Sequence, residues 1–188
     1  MDIVMPPSAI QPPGVEPLIG PDVTWSEKRA VDLAGVYQHP EALKEFGPGF
    51  VAYSVAHQNC HPGDDELGRL VWGTTYVRPF TVAGECAMTH GHYHLDPRCD
   101  EYYFGLAGTG FLLLWDGADD LRAEEIRPGS LHYIAGRYAH RIINAGDEVL
   151  AVAACYLSAT QQDHLRIERE PFPCRCFRRD GRIEWAAS

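Results

Sequence analysis

The stretch Thr89-His90-Gly91-His92-Tyr93-His94, with Glu101 seven residues after its last histidine, concentrates side chains that bind metals. On extended backbone, side chains at i, i+2 and i+4 leave the same face, so one strand can aim several imidazoles at one point. Neutral imidazole together with carboxylate suits zinc, iron, manganese or nickel. His140 lies much later, in a second apolar, strand-like stretch, and is the fourth candidate. These residues are expected to form a metal site, provided the intervening chain folds so that the two stretches meet.

The bulk composition is compatible with that. The chain has 188 residues, which suits one domain with extensions. Hydrophobic residues make up 45% and charged residues 22%, enough apolar material for a sizeable core. The formal net charge is −10, which disfavours nucleic acid and anionic membrane as partners. It does not disfavour a small anionic substrate, because a metal or a few local cations override the global field. No apolar run reaches the roughly 18 residues of a membrane span, and the N-terminus lacks the basic-then-apolar pattern of a secretory signal. Six cysteines, at 60, 86, 99, 155, 174 and 176, match no zinc-finger spacing. Reduced thiols and a cytoplasmic location are therefore expected.

Residues 1–22 carry six prolines and read as an extended arm. Residues 23–49 read as a short helical segment: Thr24 or Ser26 offers a cap, Glu27, Lys28, Arg29, Ala30 and Leu33 are helix-compatible, and Gly47-Pro48-Gly49 ends it. From residue 50 the pattern turns to β. Strands are expected over 50–56, 70–79, 81–87, 90–94, 101–106, 110–115, 121–126, 131–134, 140–144 and 149–158, separated by Gly, Pro, Asp and Asn turns. Many short strands at this spacing predict an all-β sandwich or barrel of jelly-roll type over 50–160. There is no βαβ rhythm, nucleotide-binding glycine pattern or internal repeat. Residues 161–188 are polar and mixed, with Cys174-Arg175-Cys176 among them, and are expected to wrap the outside.

His92-x-His94, Glu101 and Gly108 form a pattern that resembles the first motif of the cupin superfamily. Pro128-Gly129, His140 and Asn144-x-Gly146 resemble the second, although Ala135-Gly136-Arg137-Tyr138-Ala139 stands where a proline is usual. The closer resemblance is to the cupin-type phosphoglucose isomerases. It rests on Thr89-His90-Gly91-His92-Tyr93-His94, Glu101-Tyr102-Tyr103, Tyr138-Ala139-His140-Arg141 and Asn144-Ala145-Gly146-Asp147-Glu148, and covers roughly residues 70–160. The resemblance implies a cupin β-barrel with His92, His94, Glu101 and His140 as ligands of one divalent ion, Fe²⁺ first, with Mn²⁺, Zn²⁺ or Ni²⁺ as alternatives. It implies that Thr75, Thr89, Gly91 and Tyr103 lie near a sugar phosphate, and that Tyr156 borders the pocket, a catalytic candidate beside Glu101. The family's Gly-His-Asp-Tyr run reads Gln161-Gln162-Asp163-His164 here, so its histidine falls on Gln162 and His164 becomes the substrate-binding candidate.

The resemblance implies no ligand role for His90. His57, His61 and His132 are expected to be structural or at the surface, as are the Cys174-x-Cys176 pair and the Asp64-Asp65-Glu66 loop. Alternation turns only one of Tyr102 and Tyr103 inward. The activity implied is interconversion of glucose 6-phosphate and fructose 6-phosphate by a homodimer. Alternatives are another metal-cupin enzyme, such as a dioxygenase or an isomerase of a different sugar phosphate, and a non-enzymatic sugar-binding cupin.

Overall fold

The computed structural model describes residues 9–60 and 68–188. His61 and Asp64-Asp65-Glu66 lie outside the described residues. The chain runs through β1 (Val23–Arg29), two 3₁₀ turns (Ala30–Leu33 and Pro40–Glu45), β2 (Val51–Gln58), β3 (Leu70–Val77), β4 (Thr81–Val82), β5 (Glu85–Met88), β6 (Tyr93–His94), β7 (Glu101–Ala107) and β8 (Gly110–Trp115). It continues through β9 (Leu121–Ile126), β10 (Leu131–Ile134), β11 (Ala139–Asn144), β12 (Leu150–Leu157), β13 (Gln162–Asp163), α1 (His164–Arg169), β14 (Cys174–Arg179) and β15 (Arg182–Ala187). One sheet has the order β1-β2-β3-β12-β7-β10. The other is β15-β14-β5-β11-β8-β9 with β4 beside β5, and β6 pairs with β13. Together they form the jelly-roll β-barrel that the turn spacing predicts, the cupin form that the resemblance implies.

Burial follows side-chain alternation. In β7, Glu101, Tyr103 and Gly105 are buried while Tyr102 and Phe104 face outward. β11 is buried at all six positions because it runs through the middle of its sheet and is covered on both faces. His140, Ile142 and Asn144 share one face, and Arg141 on the other packs its guanidinium 4.8 Å from the Phe172 ring. The core between the sheets is built from Leu112, Leu114, Ile126, Ile134, Ile142 and Leu150, all essentially excluded from solvent. Residues 1–8 of the Pro-rich arm lie outside the described residues, and its described part, residues 9–22, packs against the first sheet: Leu18 is buried, its N–H donates to the Tyr76 hydroxyl at 3.0 Å, and Ile10 bridges Ile19.

Four expectations need correction. Residues 23–29 are not helical; they form β1, an edge strand whose backbone groups pair with β2. Helix-compatible side chains such as Glu27, Lys28 and Arg29 tolerate a strand when a partner edge supplies the hydrogen bonds. The strand expected over 81–87 is a hairpin: Ala83 (φ 49°) and Gly84 (φ 85°) both lie in the left-handed region, as a two-residue turn of primed type requires. The strand expected over 90–94 is broken by Gly91 at φ 79°, leaving a single bridge from His92 to His140 and the two residues of β6. Residues 161–188 do more than wrap the outside. Their β14–β15 hairpin extends the second sheet past β5, and Cys176 and Phe177 enter the core.

Candidate metal centre

Three elements carry the cluster. β7 presents Glu101 at its inward-facing start, and β11 presents His140 from the opposite sheet. The chain between β5 and β6 presents His92 and His94. The kink at Gly91 matters because it rotates His90 out of register. His90 Nε2 instead lies 3.3 Å from Glu168 on α1, and its carbonyl accepts from Arg141 at 2.7 Å. The His90–His94 stretch therefore supplies two imidazoles to the cluster rather than three.

One donor atom from each of His92, His94, Glu101 and His140 lies within 4.8 Å of every other, and all four residues are buried. Glu101 Oε1 is 3.0 Å from His94 Nε2 and 2.8 Å from His140 Nε2. Adjacent ligands on an ion with bonds of about 2.1 Å stand about 3.0 Å apart when they subtend a right angle. The tautomers agree with a shared cation. His94 Nδ1–H donates to the Cys99 carbonyl at 2.6 Å, and His140 Nδ1–H lies 3.3 Å from the Tyr138 carbonyl. Carbonyls only accept, so in the neutral imidazoles both Nε2 lone pairs face the Glu101 carboxylate. His92 Nε2 and His140 Nε2 are buried without a hydrogen-bond partner; the 2.8 Å approach to Glu101 lacks hydrogen-bonding direction. Buried acceptors crowded against one another need a cation between them. The donor set therefore fits a divalent ion, with Nδ1 of two histidines tied to carbonyls in the way metal-binding imidazoles are oriented.

The electrostatics favour a cation between these groups, a proton or a metal ion. Burial, and then the neighbouring His140, hold His92 well below the ordinary imidazole range, so it is neutral. Burial pushes Glu101 up, but His140 and His94, acting as protonated imidazoles, outweigh it and keep the carboxyl well below the usual range, and although burial lowers His94, its contact with Glu101 raises it. Burial raises Tyr103 and Tyr156, so both phenols stay protonated and can donate.

His92 and Glu101 of the cluster line a cavity of about 290 Å³, with His94 and His140 behind them, and its wall also contains every other expected site residue: Thr75, Thr89, Gly91, Tyr103, Tyr156 and His164. Thr89 Oγ1 accepts from the Ile142 N–H at 3.1 Å, leaving its own O–H free to donate. His164 Nδ1–H donates to the Gly91 carbonyl at 2.8 Å, and its ring lies 5.4 Å from that of His92. Gln162 borders the same cavity, so both residues of the altered Gln161-Gln162-Asp163-His164 run reach it.

Several cavity residues escape a reading of the sequence, His57, Ser26 and Lys28 among them. His57, expected to be structural or at the surface, lies in the wall with Nδ1 2.9 Å from the Tyr156 hydroxyl, across 99 residues of chain. Ser26 and Lys28 line the mouth from β1, in a segment whose composition predicts a helix. Alternation signals them only once the segment is known to be a strand. His132 does prove structural, fixed between Glu124 and Ser130.

Residues 27–186 match the family described as glucose-6-phosphate isomerase (GPI). The glucose-6-phosphate isomerase of Thermococcus litoralis is 31% identical over 161 residues, covering 84% of this chain and 83% of that protein. That of Sinorhizobium medicae is 31% identical over 141 residues, covering 73% of this chain and 64% of that protein, so less than two thirds of the latter is spanned. A solved oxalate oxidase superposes with a TM-score of 0.50 at 16% identity, covering 62% of this chain and 56% of that one, a likeness of fold alone. With the match reaching from β1 to β15, this chain belongs to the glucose-6-phosphate isomerase family, in its cupin-type branch.

Proposed function

We infer that this chain interconverts glucose 6-phosphate and fructose 6-phosphate, with one divalent ion held by His92, His94, Glu101 and His140. The observation that carries this reading is the convergence of those four donors, two of which, His92 and Glu101, line the cavity that also holds Thr75, Thr89, Gly91, Tyr103 and Tyr156. Fe²⁺ is the first candidate, and Mn²⁺, Zn²⁺ and Ni²⁺ also accept imidazole with carboxylate. When bound, the ion supplies Lewis acidity opposite the O1 and O2 oxygens, where negative charge develops as hydrogen moves between C1 and C2.

The chain's own groups do the rest. Glu101 is ionised, and its Oε1 faces the imidazoles, so its second oxygen is the one free to take a proton from C2 and return it to C1. Tyr103 stays protonated and donates to a substrate oxygen, and Tyr156 does the same in the tautomer where its oxygen accepts from His57 Nδ1–H. The hydroxyl of Thr89, whose lone pair is engaged by Ile142, is oriented to donate into the cavity, and Thr75 lies on the same wall. With Nδ1–H committed to the Gly91 carbonyl, His164 offers the Nε2 lone pair to a sugar hydroxyl. Val55, Ile142 and Ala154 are the apolar lining that limits water around the reacting carbons.

A homodimer is part of this reading. The outer face of the first sheet carries Leu70, Tyr102, Phe104, Leu131 and Tyr133, all substantially exposed and side by side through the pairings Leu131↔Phe104 and Tyr133↔Tyr102. A second copy covering this face would remove an apolar patch from water. Among the described residues no helix is long and apolar enough to cross a membrane.

A coupled assay on fructose 6-phosphate tests the activity. Turnover lost to a chelator and restored by added divalent metal is expected. No turnover in metal-loaded protein, or turnover indifferent to complete metal removal, would sink the reading.

A further inference from the structure

β1 carries a cation that the isomerisation chemistry leaves unused. Ser26 pairs with Val55 and Lys28 with Tyr53, and directly paired residues point to the same side of a sheet. Val55 and Tyr53 line the cavity, so Ser26 and Lys28 face into it, while Trp25 faces the opposite side and stacks on Tyr76 at 5.7 Å. Lys28 is half-buried, and it is the one lysine or arginine among the described residues lining this cavity. Among the described residues it makes no ion pair, whereas Arg122, Arg166, Arg175 and Arg178 each hold a carboxylate. Glu27 also touches the cavity, but strand alternation sends its side chain outward with Trp25, toward the groove that holds Arg78.

An unpaired ammonium aimed into a cavity, in a chain of net charge −10, is a local exception that calls for an anion. We propose that Lys28, with the Ser26 hydroxyl beside it, is the anion seat of this cavity and holds the substrate phosphate while the reacting carbons lie at the histidine–carboxylate cluster. Lysine suits this role because a compact charge on a flexible stem follows a tetrahedral dianion without demanding one planar geometry. Phosphate recognition then combines one full charge from β1 with hydroxyls from Thr75 and Thr89, rather than hydroxyls alone.

The proposal rests on the sugar-phosphate reading, so its test has an arm independent of turnover. Lys28→Met and Lys28→Arg would be prepared with metal bound and compared with the parent protein. For fructose 6-phosphate, Lys28→Met is expected to raise KM about tenfold or more with kcat within about threefold, because the contact holds ground state and transition state alike. Lys28→Arg is expected to recover most of that loss. Inorganic phosphate, titrated calorimetrically into the metal-loaded proteins, should bind the parent and the Arg variant and fall by a similar factor in the Met variant. Equal KM and equal phosphate affinity in parent and Lys28→Met overturn the seat. Phosphate binding lost in Lys28→Met, in a parent that turns over no fructose 6-phosphate, keeps the seat and overturns the isomerase reading. A parent that binds no inorganic phosphate overturns the seat whatever its turnover.

Discussion

Replacing Glu101 with Gln separates charge from shape at the cluster. The amide has nearly the volume of the carboxylate, so packing between His94 and His140 is kept while the one anionic donor is lost. Glu101 is buried, and Oε1 sits 2.8 to 3.0 Å from two imidazoles, so solvent cannot replace the missing charge. Two unit charges 4 Å apart at an effective dielectric of 20 attract by about 4 kcal/mol. The direct carboxylate–ion contact is shorter and the ion divalent, but desolvation of both offsets part of that gain, so about 4 kcal/mol is a reasonable net loss. At about 1.4 kcal/mol per decade this is about a thousandfold weaker metal binding. The assay is competition for metal against a chelator of known affinity, with metal content of the purified protein measured in parallel. Turnover at saturating metal should also fall, because the amide cannot accept the C2 proton. A Gln variant that holds metal as tightly as the parent would refute the shared-cation argument. Full activity at saturating metal would refute only the role as base.

Three further outcomes are expected. Gly91→Ala places a Cβ at φ 79°, 3.1 Å from Arg141 Nε and 3.2 Å from the His140 carbonyl, and should cost about 1–2 kcal/mol in denaturant unfolding while weakening metal binding; unchanged stability would mean that the kink is not fixed by its surroundings. Burial holds His57 below its ordinary value of 6.5, so the fold favours the neutral ring, and its contribution to stability is present above pH about 6.5 and lost as pH falls below that value; His57→Phe should therefore lose less melting temperature than the parent between pH 7.5 and pH 5.5, and an equal or larger loss would contradict this. Tyr102→Glu, which puts a charge at the centre of the exposed apolar face, should convert a dimer to monomers in sedimentation without changing metal content, and an unaltered dimer would place the interface elsewhere.

The His/Glu cluster was legible because its residues are rare, polar and set in apolar strand sequence. His92-x-His94, Glu101 and His140 occupy positions where a strand would otherwise bury hydrocarbon, and burial of such groups needs a common partner. Most strand boundaries were also legible, since alternation and turn residues act over a few positions; residues 110–115, 121–126 and 131–134 form strands at just those bounds. Ala83-Gly84 hid its turn because alanine is an uncommon residue at positive φ.

The sequence by itself thus determined the barrel class, which four side chains cluster, and the family resemblance, all carried by local pattern and motif. What joins distant segments belonged to the tertiary structure. Only pairing with β2 makes residues 23–29 a strand and turns Ser26 and Lys28 inward. Only the packed barrel places His57 against Tyr156, and only the Gly91 kink decides which two of three neighbouring imidazoles join the cluster. The reason is physical: an edge strand or a cross-barrel hydrogen bond is stabilised by partners far away in the chain, and nothing in the local residues records who those partners are.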